Sequence, residues 1–121
     1  MVEDYLIDTN AVIDYLENKL PHETSVLIDK NQSQISVITR MELLGWLNAS
    51  TLQIKVLEDF VNTSMIFNLD EPVILKTIEI RKSVKIKLPD AIICATALVN
   101  NFILITNNKA DFKNINGLRI V

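Results

Sequence analysis

Short apolar, β-favouring runs alternate with helix-like stretches along the whole chain, and this alternation limits the possible folds more than any other feature. Tyr5-Leu6-Ile7 opens the series. Ile35-Ser36-Val37-Ile38 and Met65-Ile66-Phe67 follow, Phe102-Ile103-Leu104-Ile105 is nearly continuous in apolar character, and Leu118-Arg119-Ile120-Val121 closes it. A continuous apolar strand needs cover on both faces. The pattern therefore predicts an α/β domain: a three-layer α/β/α sandwich around a mainly parallel central sheet, joined by right-handed crossovers. With 121 residues there is room for one such domain, spanning 1–121.

Between the strands, turn and capping residues mark the helices. Ala11 to Leu20 places apolar residues on adjacent faces and stops at Pro21, and a second short helix is expected over about His22 to Lys30. Thr39 and Glu42 have the spacing of a capping box, which predicts a helix beginning there. From Thr51 to Val61, Leu52, Val56 and Phe60 recur every four residues. Pro72 opens a further helix that runs into the basic stretch Arg81-Lys82-Ser83-Val84-Lys85-Ile86-Lys87, read as its end and a loop. Pro89 opens the last. Its apolar residues Ala91, Ile92, Cys94, Ala95, Leu98 and Val99 surround the axis, so it is expected to be buried on most sides.

Composition narrows the class further. Half of the chain is hydrophobic and Cys94 is the only cysteine, which excludes a disulfide scaffold and suits a reducing compartment. The longest apolar stretch, Ala91 to Val99, is too short to cross a bilayer, and the opening Met-Val-Glu-Asp lacks the basic and apolar character of a secretory signal, so a cytoplasmic protein is expected. A net charge of -3 argues against holding nucleic acid by bulk positive charge.

Four acids stand where predicted strands give way to helices: Asp8, Glu42, Asp90 and Asp111. In a parallel sheet such positions share the rim at the strand C-termini, where α/β domains bind ligands. Converging carboxylates repel, and a divalent cation resolves the repulsion; oxygen-only donors favour Mg²⁺ or Mn²⁺ over Zn²⁺. Each acid also has a plainer reading: Asp8 as a helix cap, Glu42 as half of the capping box, Asp90 as an answer to a helix N-terminus, and Asp111, in Lys109-Ala110-Asp111-Phe112, as a solvated turn residue. His22 reads as a surface residue and Cys94 as a packed core thiol.

Together, Leu6-Ile7-Asp8-Thr9-Asn10, Thr39-Arg40-Met41-Glu42-Leu43, Leu88-Pro89-Asp90-Ala91 with the helix that follows, and Ile105-Thr106-Asn107-Asn108-Lys109-Ala110-Asp111-Phe112 resemble the four signature blocks of PIN domains. The compact form most resembles VapC-type toxins of toxin–antitoxin pairs. That resemblance implies a Mg²⁺- or Mn²⁺-dependent endoribonuclease acting on RNA, a homodimer, and a cognate antitoxin as partner. Carried over by position, it implies Asp8, Glu42 and Asp90 as the core metal-binding and catalytic acids and Asp111 as a more variable fourth, with Asn10, Thr106 and Asn108 in support. Many relatives carry Asp where this chain has Asn108, which leaves the second metal position open between Asn108 and Asp111.

Setting the four acids aside changes the formal charge from -3 to +1, so the rest of the chain is nearly neutral. Lys85 and Lys87, within the basic stretch, and Arg40, close to Glu42, are candidate phosphate contacts for the substrate. The competing reading is a catalytically silent PIN-like module that binds RNA or protein without cutting it. The four retained acids speak against it, since a pure binder has no need of that repulsion.

Overall fold

The computed structural model describes residues 3–121. Its elements run β1 (Tyr5–Ile7), α1 (Thr9–Leu16), α2 (His22–Lys30), β2 (Gln34–Ser36), α3 (Val37–Leu44), α4 (Thr51–Asn62), β3 (Met65–Phe67), α5 (Glu71–Ser83), α6 (Leu88–Asn100), β4 (Ile103–Ile105) and α7 (Lys109–Phe112). β1 pairs with β4 in parallel, Leu6 opposite Leu104, and β2 pairs with β3 in parallel, Ile35 opposite Ile66. The two pairs lie side by side. Between them the Gln34 side chain donates to the Tyr5 carbonyl at 3.0 Å, a side-chain link where a backbone rung would otherwise stand.

Side chains alternate across the strands and so divide the core in two. Leu6 and Leu104 face α5 and α6, where Val73, Ile80, Ala91 and Ile93 pack in one cluster with Phe112 of α7. Ile7, Ile35 and Ile105 face the other way, onto Val12, Ile28, Leu43, Leu57 and Val61 of α1 to α4. This is the predicted sandwich. Every residue of α6 from Ala91 to Ala97 is buried, as its all-round apolar sequence requires.

Several boundaries differ from those expected. The first helix stops at Leu16 rather than Leu20, because Asn18 turns the chain at φ 59° and the Lys19 amide bonds back to the Asp14 carbonyl at 2.7 Å. β2 ends at Ser36, whose hydroxyl accepts the Ile38 amide at 3.1 Å; Val37 and Ile38 are already helical. The capping box predicted for Thr39 and Glu42 is therefore absent, and both residues lie inside α3. β4 begins at Ile103, since the Phe102 amide still closes α6 onto the Ala97 carbonyl at 2.8 Å. The final strand shrinks to one parallel bridge between Leu104 and Ile120. Lys109 to Phe112, read as a polar turn, is a short helix held down by buried Phe112. Among the described residues no helix is long and apolar enough to cross a membrane.

Candidate active site

The acids gather where β1 and β4 end. The Asp8 amide extends the β1–β4 ladder by bonding to the Ile105 carbonyl at 2.9 Å, which fixes its backbone at the rim. Its side chain, only 4% exposed, splits its two oxygens. Oδ1 accepts the Thr9 amide at 2.8 Å and so caps α1, while Oδ2 accepts the Thr106 hydroxyl at 2.9 Å. The capping role and the rim position are thus held by one carboxylate. Burial pushes its pKa up to about 6; the bonds from Thr106 and Thr9 oppose that rise, and the charges of Asp90 and Glu42 add to it.

Asp90 occupies the first turn of α6 and is half-buried. Burial raises its pKa first, then the charges of Glu42 and Asp111, with Lys87 acting in the opposite sense. Four acids distant in sequence are therefore electrostatic neighbours. Glu42 is exposed on α3, and its Oε1 accepts the Thr9 hydroxyl at 2.7 Å. Thr9 and buried Thr39 stand 2.9 Å apart, oxygen to oxygen. With the Thr9 proton given to Glu42, Thr39 becomes the donor to Thr9, and a directed chain leads from the core to the carboxylate. Asp111, on α7, is exposed and accepts from the Asn108 side chain. The Asn108 amide in turn donates to the Thr106 hydroxyl at 3.0 Å, which links the Asp111 turn to Asp8.

Thr106 and Asn108 are thus joined to the acids by hydrogen bonds. Asn10 is exposed on α1 and makes no side-chain hydrogen bond among the described residues. Arg40 is exposed on α3, whereas Lys85 and Lys87 line a groove with Asp90 and Asp111. Thr9 and Thr39 are the residues that reading the sequence missed. Nothing local marks a contact between hydroxyls thirty positions apart; only the Thr in the Asp8-Thr9-Asn10 turn offered a hint. Asn107 also donates to Asp14 at 3.0 Å, tying the last loop to α1. Cys94 is fully buried, and burial, with the charges of Asp90 and Asp8, pushes its thiol up to about 12, so it is no nucleophile.

Among the described residues no three carboxylate, His or Cys side chains stand close enough to form a ready-made cation cage. The donor set nevertheless fits a hard divalent ion. It is all oxygen, none of its four acids takes part in an ion pair among the described residues, and the two outer ones, Glu42 and Asp111, are exposed.

The raised pKa of Asp8 has a consequence for stability in chelator. The folded protein binds this proton more tightly than the unfolded chain, so stability falls as pH rises from about 4 to about 6 and stays low above that. The difference is on the order of 3 kcal/mol. Urea midpoints across this range should fall with pH in the wild type, and Asp8→Asn should flatten the slope. An unchanged slope would mean that Asp8 is not the titrating group.

The fold and rim define an α/β domain with a carboxylate-lined site at its strand ends. The sequence profile of the PIN domain matches residues 5–118, and the chain belongs to the PIN domain family. It is 27% identical to the tRNA(fMet)-specific endonuclease VapC of Salmonella typhimurium strain LT2, over 96% of this chain and 95% of that protein. Its structure resembles that of DNA-bound VapBC from Salmonella typhimurium with a TM-score of 0.84 at 27% identity, covering 99% of this chain and 98% of that one. A toxin–antitoxin complex from Klebsiella pneumoniae superposes with a TM-score of 0.77 at 32% identity, covering 98% and 96%.

Proposed function

We propose that this protein is a metal-dependent endoribonuclease, the toxin of a toxin–antitoxin pair. The observation that carries the reading is the meeting of Asp8, Glu42, Asp90 and Asp111 at one rim without a cationic partner in contact. Similarity to an RNA endonuclease along nearly the full length of both proteins supports it. Asp8 and Asp90 would hold a Mg²⁺ or Mn²⁺ ion, with Glu42 and Asp111 completing the set. Such an ion supplies positive charge for the phosphate oxygens and activates water. Thr106 orients Asp8, Thr9 and Thr39 hold Glu42, and Asn108 restrains Asp111. Buried Asp8 brings little water with it, which strengthens the field at the rim. Lys85, Lys87 and Arg40 are the candidate phosphate contacts.

The direct test is incubation of the purified protein with single-stranded RNA in Mn²⁺ and in chelator. Cleavage in metal alone is expected; RNA bound but uncut in both would favour a silent binding module.

The partner proposed is an antitoxin, as in the toxin–antitoxin complexes this chain resembles. Trp46 and Leu47, between α3 and α4, and Leu52 and Val56, on α4, are exposed, apolar area that a partner would cover. A homodimer in a cytoplasmic setting completes the proposal. Light scattering at micromolar concentration should give twice the mass of one chain, and a monomer would count against the dimer.

A further inference from the structure

We propose that the groove running from Asp90 and Asp111 to the end of α5 is the channel for the RNA strand, with Arg81 and Lys85 holding a phosphate beside the one that is cut. This rests on the ribonuclease reading above. The groove encloses about 520 Å³, and its lining is Arg81, Lys85, Ile86, Lys87, Asp90 and Asp111. Three cations and two acids therefore share one groove.

The sequence builds this arrangement with a short alternation. Val84 and Ile86 pack against the core cluster under α6, whereas Lys85 and Lys87, between and after them, are exposed. The two apolar anchors tether the connection from α5 to α6, so the lysines are presented from a fixed backbone and not from a loose loop. Arg81 joins them from the last turn of α5. Two cations in that turn would serve the helix end equally well, yet Arg81 lines the groove and Lys82 does not. Among the described residues none of Arg81, Lys85 and Lys87 is in an ion pair, whereas Lys55 and Lys76 each pair with a carboxylate on their own helix. The charge of Lys87 acts on Asp90 and groups this lysine with the acids. Arg81 and Lys85 are left for a neighbouring phosphate, and the guanidinium of Arg81 can take two of its oxygens at once.

No aromatic ring lines the groove, so bases have nothing to stack on. Contact through phosphates alone predicts binding that tolerates sequence.

The test is fluorescence anisotropy with two labelled single-stranded RNAs of unrelated sequence, using the full chain in chelator over a range of salt. Arg81→Gln and Lys85→Gln should each weaken binding about threefold to tenfold on both RNAs, and each should lower the slope of log affinity against log salt by about 0.7. Lys82→Gln should leave affinity and slope unchanged. Equal losses in all three variants, no loss in the first two, or no binding by the wild type at low salt would each overturn the groove. Cleavage in Mn²⁺ is scored separately. RNA that binds through Arg81 and Lys85 but is never cut defeats the ribonuclease reading alone; cleavage whose KM neither substitution raises defeats the groove alone.

Discussion

Asp8→Asn and Asp90→Asn are each expected to lower RNA cleavage by about 1000-fold or more while leaving the protein folded. Each exchange keeps side-chain size and removes one negative charge from the set that would hold the cation. A loss of that size corresponds to about 4 kcal/mol of transition-state stabilisation, within the several kcal/mol that a bound metal supplies. In Asp8→Asn the side-chain carbonyl can still accept the Thr9 amide, so the α1 cap survives and the effect is not one of misfolding. Asp111→Asn should be milder, because Asp111 is exposed and held through Asn108 at the edge of the site. Cleavage rates against a single-stranded RNA, with circular dichroism as the check on folding, decide the matter. Full activity in either of the first two variants would refute the assigned site, and an Asp111→Asn loss as deep as that of Asp90→Asn would move Asp111 into its centre.

The second large effect needs no RNA. If the four acids form one site, millimolar Mn²⁺ should stabilise the wild type. At one hundred times the dissociation constant, mass action gives about 2.7 kcal/mol, which is roughly 11 °C in melting temperature for a domain of this size. Asp90→Asn should melt no lower than wild type in chelator, because it relieves repulsion from Glu42 and Asp111, yet it should lose most of the gain from metal. A residue that merely answers the α6 N-terminus behaves otherwise: its loss costs a few tenths to about 1 kcal/mol, with or without metal. Thermal melts of both proteins in chelator and in Mn²⁺ separate the two roles. Equal metal responses would remove Asp90 from the site.

Of the acids behind both predictions, Asp8 was placed by strand direction, since it follows β1 directly, whereas Asp90 follows α5 and was marked only by Pro89 at a helix start. Burial of α6 was legible as well, since a helix apolar on all sides has no face to offer water. Helix starts were harder. Ser36 and Thr39 are both capping residues within one turn, and the local pattern favoured the one with Glu42 three positions on; the chain instead caps on Ser36, because β2 ends there. Thr39 is thereby placed inside α3, free to reach Thr9. That contact depends on how α1 and α3 pack and leaves no trace in local sequence. The early end of α1 turned on Asn18 adopting a left-handed conformation, a preference too weak to announce itself beside the plainer stop at Pro21.

Cys94 sits one helical turn beyond Asp90, sealed in the core and held as a neutral thiol. An alkylating reagent reaches it only when α6 leaves its packing, so the rate of thiol capture counts openings of the floor beneath the acids. As the sole cysteine in the chain, it makes the unmodified protein its own clock for how often that floor gives way. Any ligand that braces the rim should slow the clock, whether or not it is a substrate.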